Sequence, residues 1–175
     1  WTALEEIGLP VAIHTGTGVP LHEMYRQAKH AGHFLIKGNQ MLECLADLIW
    51  SGVAHRHPTL HFVSVEAGMG WIASHLHIWD RHWKDHHEWI RPKLEELPSS
   101  YFHRQFWVSF EQDRAGILTR ELLNVDHLMW GSDYPHCEGT FPQSRKMVAE
   151  IFAGVPAEET CKMVRDNAAQ LYGIT

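Results

Sequence analysis

Cysteine is scarce: Cys44, Cys137 and Cys161 stand far apart, and no C-x-x-C occurs. Neither a disulfide framework nor a thiolate zinc site is indicated, and a reducing cytoplasm is the expected setting. No apolar run approaches the roughly 18 residues that cross a bilayer. The opening WTALEEIGLP also has neither the basic region nor the long apolar stretch of a signal peptide. Positive charge is short as well, with 15 Lys and Arg against 21 Asp and Glu and a formal net charge of -6. The basic residues are scattered, so the electrostatic footprint of a phosphate-backbone binder is missing and nucleic acid is not an expected partner. Internal repeats, low-complexity stretches and Ser/Gly-rich linkers are all lacking, which makes residues 1–175 a single domain in the simplest partition.

What is present is a chain of 175 residues, 45% hydrophobic, with 15 His and 8 Trp. Four short apolar runs read as buried strands: Pro10–Ile13, Leu60–Val65, Phe106–Phe110 and His127–Trp130. Helical patterns lie between them. Met41, Leu42, Leu45, Leu48 and Ile49 recur at three- and four-residue spacing over Asn39–Ser51, with Asn39 as a candidate cap and Gly52 as a stop. Ile72, Leu76, Trp79 and Trp83 form one stripe of a second helix, expected to exceed five turns and to stop at Arg91-Pro92. Asp113 opens a third through Leu122, and Gln143–Phe152 and Ala157–Tyr172 give two more, the last ended by Gly173.

Short buried strands alternating with helices are the signature of parallel βαβ units. Four of them make half of a (β/α)8 barrel, and a complete barrel takes about 250 residues. The expected fold class is therefore α/β, the C-terminal half of a TIM barrel, about strands 5 to 8. Trp1–Glu6 reads as the end of a helix leading into the first strand, as though the chain were cut inside an earlier unit.

In parallel α/β folds the functional residues gather where strands end, because the loops there converge on one face. The first strand runs into His14-Thr15-Gly16-Thr17-Gly18, an imidazole followed by a glycine-rich turn. Histidine is the commonest side-chain ligand for a catalytic metal, and the alternative is a donor to a loop carbonyl. The second strand ends in Glu66, a carboxylate leaving a core run, which is costly unless paired or on a metal. Strand alternation offers the opposite reading, in which Glu66 points into solvent. Gly68, Gly70 and Ala73 imitate a dinucleotide fingerprint, but Glu88 lies within the continuing helical pattern where the distant acid should end a strand. The third strand runs into Glu111 and Asp113, the latter best read as a helix cap. The fourth gives Gly131-Ser132-Asp133-Tyr134-Pro135-His136, the sharpest signal in the chain. An aspartate here can hold a divalent metal and accept a proton, or it can stabilise an Asx turn. Of the two H-x-H pairs, His55/His57 precede a strand and His75/His77 occupy a helix, so both read as structural or solvated. His82 and His86 lie one turn apart on an outer helix, and no H-E-x-x-H occurs.

The passages PVAIHTGTG, LHFVSVEAGMGWI, MWGSDYPHCEGTFP and DNAAQLYGI together resemble the amidohydrolase-related barrels, the family of aminocarboxymuconate-semialdehyde decarboxylase and related aromatic-acid decarboxylases and hydrolases. The resemblance covers essentially the whole chain, and GSDYPH with the DNAAQLYG ending is its specific part. It implies that His14 matches the metal-binding histidine of the fifth strand and Asp133 the aspartate of the eighth, which binds metal and assists proton transfer. Where the better-known decarboxylases carry an acid/base histidine, this chain has Glu66, implied to replace it as base.

The implied protein is a metal-dependent hydrolase or non-oxidative decarboxylase of a small organic carboxylic or aromatic substrate. Its divalent metal is expected to be zinc, with Asp133 and Glu66 catalytic and His136, Trp71 and Glu138 shaping the substrate pocket. The family's first-strand H-x-H lies outside the chain, so two of four expected protein ligands are present. A non-catalytic half-barrel paired with another copy or with the missing half is the second reading. A nucleotide-binding domain using Gly68 and Gly70 is the third, and a helix continuous through His86 excludes it.

Overall fold

The computed structural model describes residues 1–16 and 37–174. Helix α1, Thr2–Ile7, ends at Gly8 in the left-handed conformation and leads into β1, Val11–His14. Helices α2, Lys37–Trp50, and α3, Val53–Arg56, precede β2, Phe62–Val65. Then come α4, Ile72–His86, α5, Pro98–Gln105, and β3, Phe106–Phe110. Helix α6, Arg114–Leu118, and two single turns lead to β4, Leu128–Trp130. The chain closes with α7, Ser144–Ile151, and α8, Ala157–Cys161, which a π turn, Lys162–Asp166, joins to α9, Asn167–Tyr172.

The four strands of the described residues pair in parallel in the order β1-β2-β3-β4, with His14 opposite Val65, Ser64 opposite Val108 and Phe110 opposite Trp130. The result is the mixed α/β fold with a parallel sheet that the strand and helix alternation implies. Period-two alternation sorts the strand residues onto two faces. Phe62, Phe106, Val108, Phe110 and Leu128 pack outward against the helices, with Leu45, Ile49, Ile72, Leu76, Phe102 and Ile117 in the same core. Val63, Trp107 and Met129 form a second cluster on the opposite face, where Val65 and the α9 residues Ala168 and Leu171 pack against them.

Several boundaries differ from the sequence reading. Helix α2 already includes Lys37, so Asn39 lies inside it and is not its cap. Helix α4 has 15 residues, about four turns, and stops at His86, well short of Arg91-Pro92. Its end is built by side chains: His87 stacks on Trp83 at 4.5 Å between ring centroids, and the Trp83 indole donates to the Leu94 carbonyl at 3.1 Å. Thr119 separates α6 from the turn Arg120–Leu122, so the third helix is broken before Leu122. Strands β2 and β4 start later than their apolar runs, and His127 belongs to the turn Val125–His127. Helix α5 has no counterpart in the sequence reading. Asp113 does cap α6, accepting from the Gly116 amide at 2.7 Å. Gly173 ends α9 with φ 64. The motif asparagine Asn167 is buried, and its amide donates to the carbonyls of Val125 at 2.8 Å and Leu128 at 2.7 Å, tying the last helix to the start of β4.

Two histidines sit beside Trp107, next to the N-terminal ends of their strands. His127 stacks on the indole at 4.1 Å, and the indole N–H donates to His61 Nδ1 at 3.3 Å. Burial pushes both imidazoles below their ordinary value of 6.5. Both therefore take up a proton less readily in the folded chain, and below that ordinary value the unfolded chain binds more protons than the folded one. Their contribution to stability is thus present at neutral pH and is lost as the pH falls below about 6.5. Urea titrations from pH 8 to pH 5 are expected to show a falling midpoint, and the slope should flatten in the double variant His61→Asn/His127→Asn. An unchanged slope in that variant sinks the assignment.

Candidate metal centre

Parallel pairing brings the C-terminal ends of the four strands to one edge. His14 is the last residue of β1, and Glu66 follows the β2 residue paired with it. Past Trp130 the sheet continues for one bond, Gly131 N–H to Phe110 O at 2.9 Å, before the chain enters the 131–142 loop. That loop braces itself. The amide of His136 donates to Asp133 O at 2.9 Å, Gly139 to His136 O at 3.1 Å and Thr140 to Ser132 O at 2.8 Å. A Cβ on Gly139 would meet the carbonyl oxygens of Asp133, Ser132 and His136 at 2.8–3.0 Å, so only glycine closes this turn.

Glu66 and Asp133 are the non-glycine residues with positive φ among the described residues, at 60° and 53°. Such a conformation costs of order 1–3 kcal/mol at a non-glycine residue and persists only where surroundings enforce it. For Glu66 it has a direct consequence. The left-handed turn breaks the alternation that would have sent the side chain away from His14, so the reading of Glu66 as emerging into solvent does not hold. Its carboxylate is 12% exposed, and Oε2 lies 2.8 Å from His14 Nε2.

On the other ring nitrogen, His14 Nδ1 sits 2.8 Å from the Thr15 carbonyl. A carbonyl only accepts, so Nδ1 carries the hydrogen and Nε2 faces Glu66. Two acceptors at 2.8 Å need a proton or a cation in common. Orientation of an imidazole by an Nδ1–H to a backbone carbonyl, leaving Nε2 presented, is the arrangement that metal-ligating histidines use. Thr17 and Gly18 of the glycine-rich turn lie outside the described residues; the Gly16 amide donates to the Gln40 side chain at 2.9 Å.

His136 joins the group from the β4 side. Its Nδ1 is 2.9 Å from Asp133 Oδ1 and 4.0 Å from Glu66 Oε2. One ligand atom each from Glu66, Asp133 and His136 lies within 4.8 Å of the others, close enough to share a metal ion. The carboxylates are sunken, Asp133 being 16% exposed, while His14 and His136 are 55% and 62% exposed. Two carboxylates this close repel one another unless a positive charge compensates them. The donor set of carboxylate oxygen and imidazole nitrogen suits a first-row divalent ion.

The other candidates are not members of this cluster. Trp71 is half-buried, and its indole donates to Ala67 O at 2.9 Å within its own loop. Glu138 is exposed on the 131–142 loop, its carbonyl 3.4 Å from Gln112 Nε2. His55 meets the Tyr101 hydroxyl and His57 meets Glu5, both near the opposite end of the strands. His82 and His86 stack at 5.9 Å on the outer helix. The nucleotide-binding reading fails its own criterion, since α4 runs unbroken through His86 and no strand separates it from Glu88. The glycine-rich loop instead meets an internal carboxylate: Asp113 Oδ2 accepts from the amides of Met69 at 2.6 Å and Gly70 at 2.8 Å. Sequence reasoning took Asp113 for a cap alone and His136 for a pocket residue. The signal for His136 was its spacing of three from Asp133 in a tight loop.

The amidohydrolase family model matches residues 1–174. No curated protein matches the sequence. Among solved structures, an amidohydrolase from Mycobacterium avium subsp. paratuberculosis K-10 is 25% identical with a TM-score of 0.79, over 98% of this chain and 44% of that one. The 5-carboxyvanillate decarboxylase of Sphingomonas paucimobilis is 24% identical with a TM-score of 0.81, over 99% of this chain and 52% of that one. A dihydroxybenzoic acid decarboxylase from Polaromonas sp. JS666, solved with bound manganese and 2-nitroresorcinol, is 16% identical with a TM-score of 0.74, over 99% and 52%. The chain thus spans about half the length of these solved structures.

Proposed function

Because this chain belongs to the amidohydrolase family, we propose that it forms the C-terminal half of a (β/α)8 barrel in a metal-dependent enzyme acting on small aromatic carboxylates. The observation that carries the reading is the convergence of Glu66, Asp133 and His136, with His14 on Glu66, at the C-terminal edge of a parallel sheet. Active sites of barrel enzymes are built at that edge.

Glu66, Asp133 and His136 would hold the ion, with His14 as the adjoining ligand, and manganese or zinc satisfies the donor set. A divalent ion supplies Lewis acidity toward a substrate oxygen. The residues do the rest. Asp133 shares a proton with His136 Nδ1 across 2.9 Å, so the pair can deliver it to a ring carbon as the carboxyl group departs: the carbon–carbon bond breaks, its electron pair takes the proton, and carbon dioxide leaves. Glu66, sunken beside His14, stands on the side from which the proton comes, 4.0 Å from His136 Nδ1. Trp71, His136 and Glu138 are assigned to the substrate pocket. Hydrolysis at the same centre is the second reading, favoured by the 25% identical amidohydrolase, with Asp133 then taking the proton from attacking water.

This reading expects an H-x-H at the end of an apolar strand encoded upstream of Trp1, and an upstream sequence without it counts against the proposal. For the full-length protein loaded with manganese, incubation with hydroxylated benzoates should release carbon dioxide. Turnover of esters or amides without carbon dioxide selects hydrolysis, and inertness toward both sinks the enzymatic reading. Among the described residues no helix is long and apolar enough to cross a membrane, and the proposed partners are the small substrate and the other half of the barrel.

A further inference from the structure

Glu66 is carried by a loop whose amides reach out to another loop. The same Asp113 carboxylate takes Met69 and Gly70 amides on Oδ2 and the Gly116 amide on Oδ1, at 2.6, 2.8 and 2.7 Å. It thereby clamps the β2–α4 connection to the β3–α6 connection. The fit leaves no room for side chains. A Cβ on Gly70 would stand 3.0 Å from Asp113 Oδ1 and 3.1 Å from the Gly116 nitrogen, and one on Gly116 would stand 2.3 Å from Met69 Cγ. Glu66 and Gly68 both have positive φ, at 60° and 64°. Successive amides in such a turn form a concave nest for an anion. Here the anion belongs to the protein.

We infer that Asp113 is a positioning residue: by filling the nest at Met69 and Gly70 it holds the preceding turn, and with it the Glu66 carboxylate, against His14. The glycine spacing that imitates a phosphate-binding fingerprint exists to admit this carboxylate. The inference concerns where Glu66 stands, and it rests on the proposed metal site only for its consequence.

The test uses the full-length protein and the variants Asp113→Asn and Gly70→Ala, which disturb the clamp from opposite sides, so that either folded variant can be read alone. Asn167→Ala is the control, because it removes a buried anchor at the other end of the sheet and lowers stability without touching the clamp. In the metal-free protein, NMR resonances of the His14 ring are expected to move in both clamp variants and stay in place in the control. Amide exchange at Met69 and Gly70 should quicken in the same two. With manganese added, the dissociation constant should rise about 10–100-fold in the clamp variants, the range found for groups that orient metal ligands, and stay unchanged in the control. Folded clamp variants with unmoved His14 resonances overturn the inference, whatever the metal does. If the full-length parent binds no manganese, the metal reading falls and the His14 resonances alone decide the role of Asp113.

Discussion

Replacing Asp133 with asparagine is expected to weaken manganese binding by about a hundredfold or more, since loss of an outer partner alone changes affinity by about 10–100-fold. The substitution keeps the shape of the side chain and an oxygen that can accept from His136 Nδ1, now 2.9 Å from Oδ1. It removes the negative charge on which the ion depends. The left-handed backbone at residue 133 also tolerates asparagine better than most residues, so the variant should fold. Calorimetric titration of the parent and of Asp133→Asn measures the effect directly. The accompanying control is His82→Ala, which removes one of the stacked pair on the outer helix. A parent affinity that falls with His82→Ala and survives Asp133→Asn would place the metal on that helix and end the case for the strand-end centre.

The second large effect is on stability. Phe106→Ala should cost about 3–5 kcal/mol, the usual toll for emptying a large aromatic site in a core. Phe106 is 1% exposed at the start of β3, which is flanked by strands on both sides, and it stacks on Phe62 at 5.0 Å and on Phe102 at 5.6 Å between centroids. Removing the ring strips both neighbours of a partner and leaves a void between sheet and helix. Against a total stability of about 5–15 kcal/mol, that is a large fraction, readable as a shift of the urea midpoint at pH 7. Phe106→Leu retains much of the volume and should lose less. A loss below about 1 kcal/mol in the alanine variant would mean that the site collapses around the gap, contrary to close packing.

The strands were legible because each is a short apolar run with a chemical change at its end, and in β2, β3 and β4 burial on both faces makes that pattern hard to miss. Their parallel order followed from the helices between them. The end of α4 was not legible: the periodic stripe continues past His86, and the stop comes where His87 stacks on Trp83 and the Trp83 indole reaches the Leu94 carbonyl, contacts that spacing along a chain does not reveal. Helix α5 hides for a related reason. Its polar start dilutes the apolar period, and Pro98 at its first turn was the available clue.

At the site, reading the residue that closes each strand singled out His14, Glu66 and Asp133 one at a time, and motif context added His136. That they meet is a property of register and of two left-handed residues. Alternation assigned Glu66 to the face away from His14, and the left-handed backbone at 66 reverses that assignment. Asp113 was half legible: a cap depends on neighbours three residues away, whereas its bonds to Met69 and Gly70 join segments that only folding brings together.

The histidines divide between the two ends of the same strands. His61 and His127 flank Trp107 at one end, and His14 and His136 meet the carboxylates at the other. In the five-residue strand β3 the two ends are roughly 13 Å apart at about 3.3 Å per residue, beyond the range over which substitutions usually interfere. Acid tolerance and site chemistry are therefore separately heritable traits in this architecture: drift at one end can retune how much acidity the fold survives while the other end keeps its protons where they were.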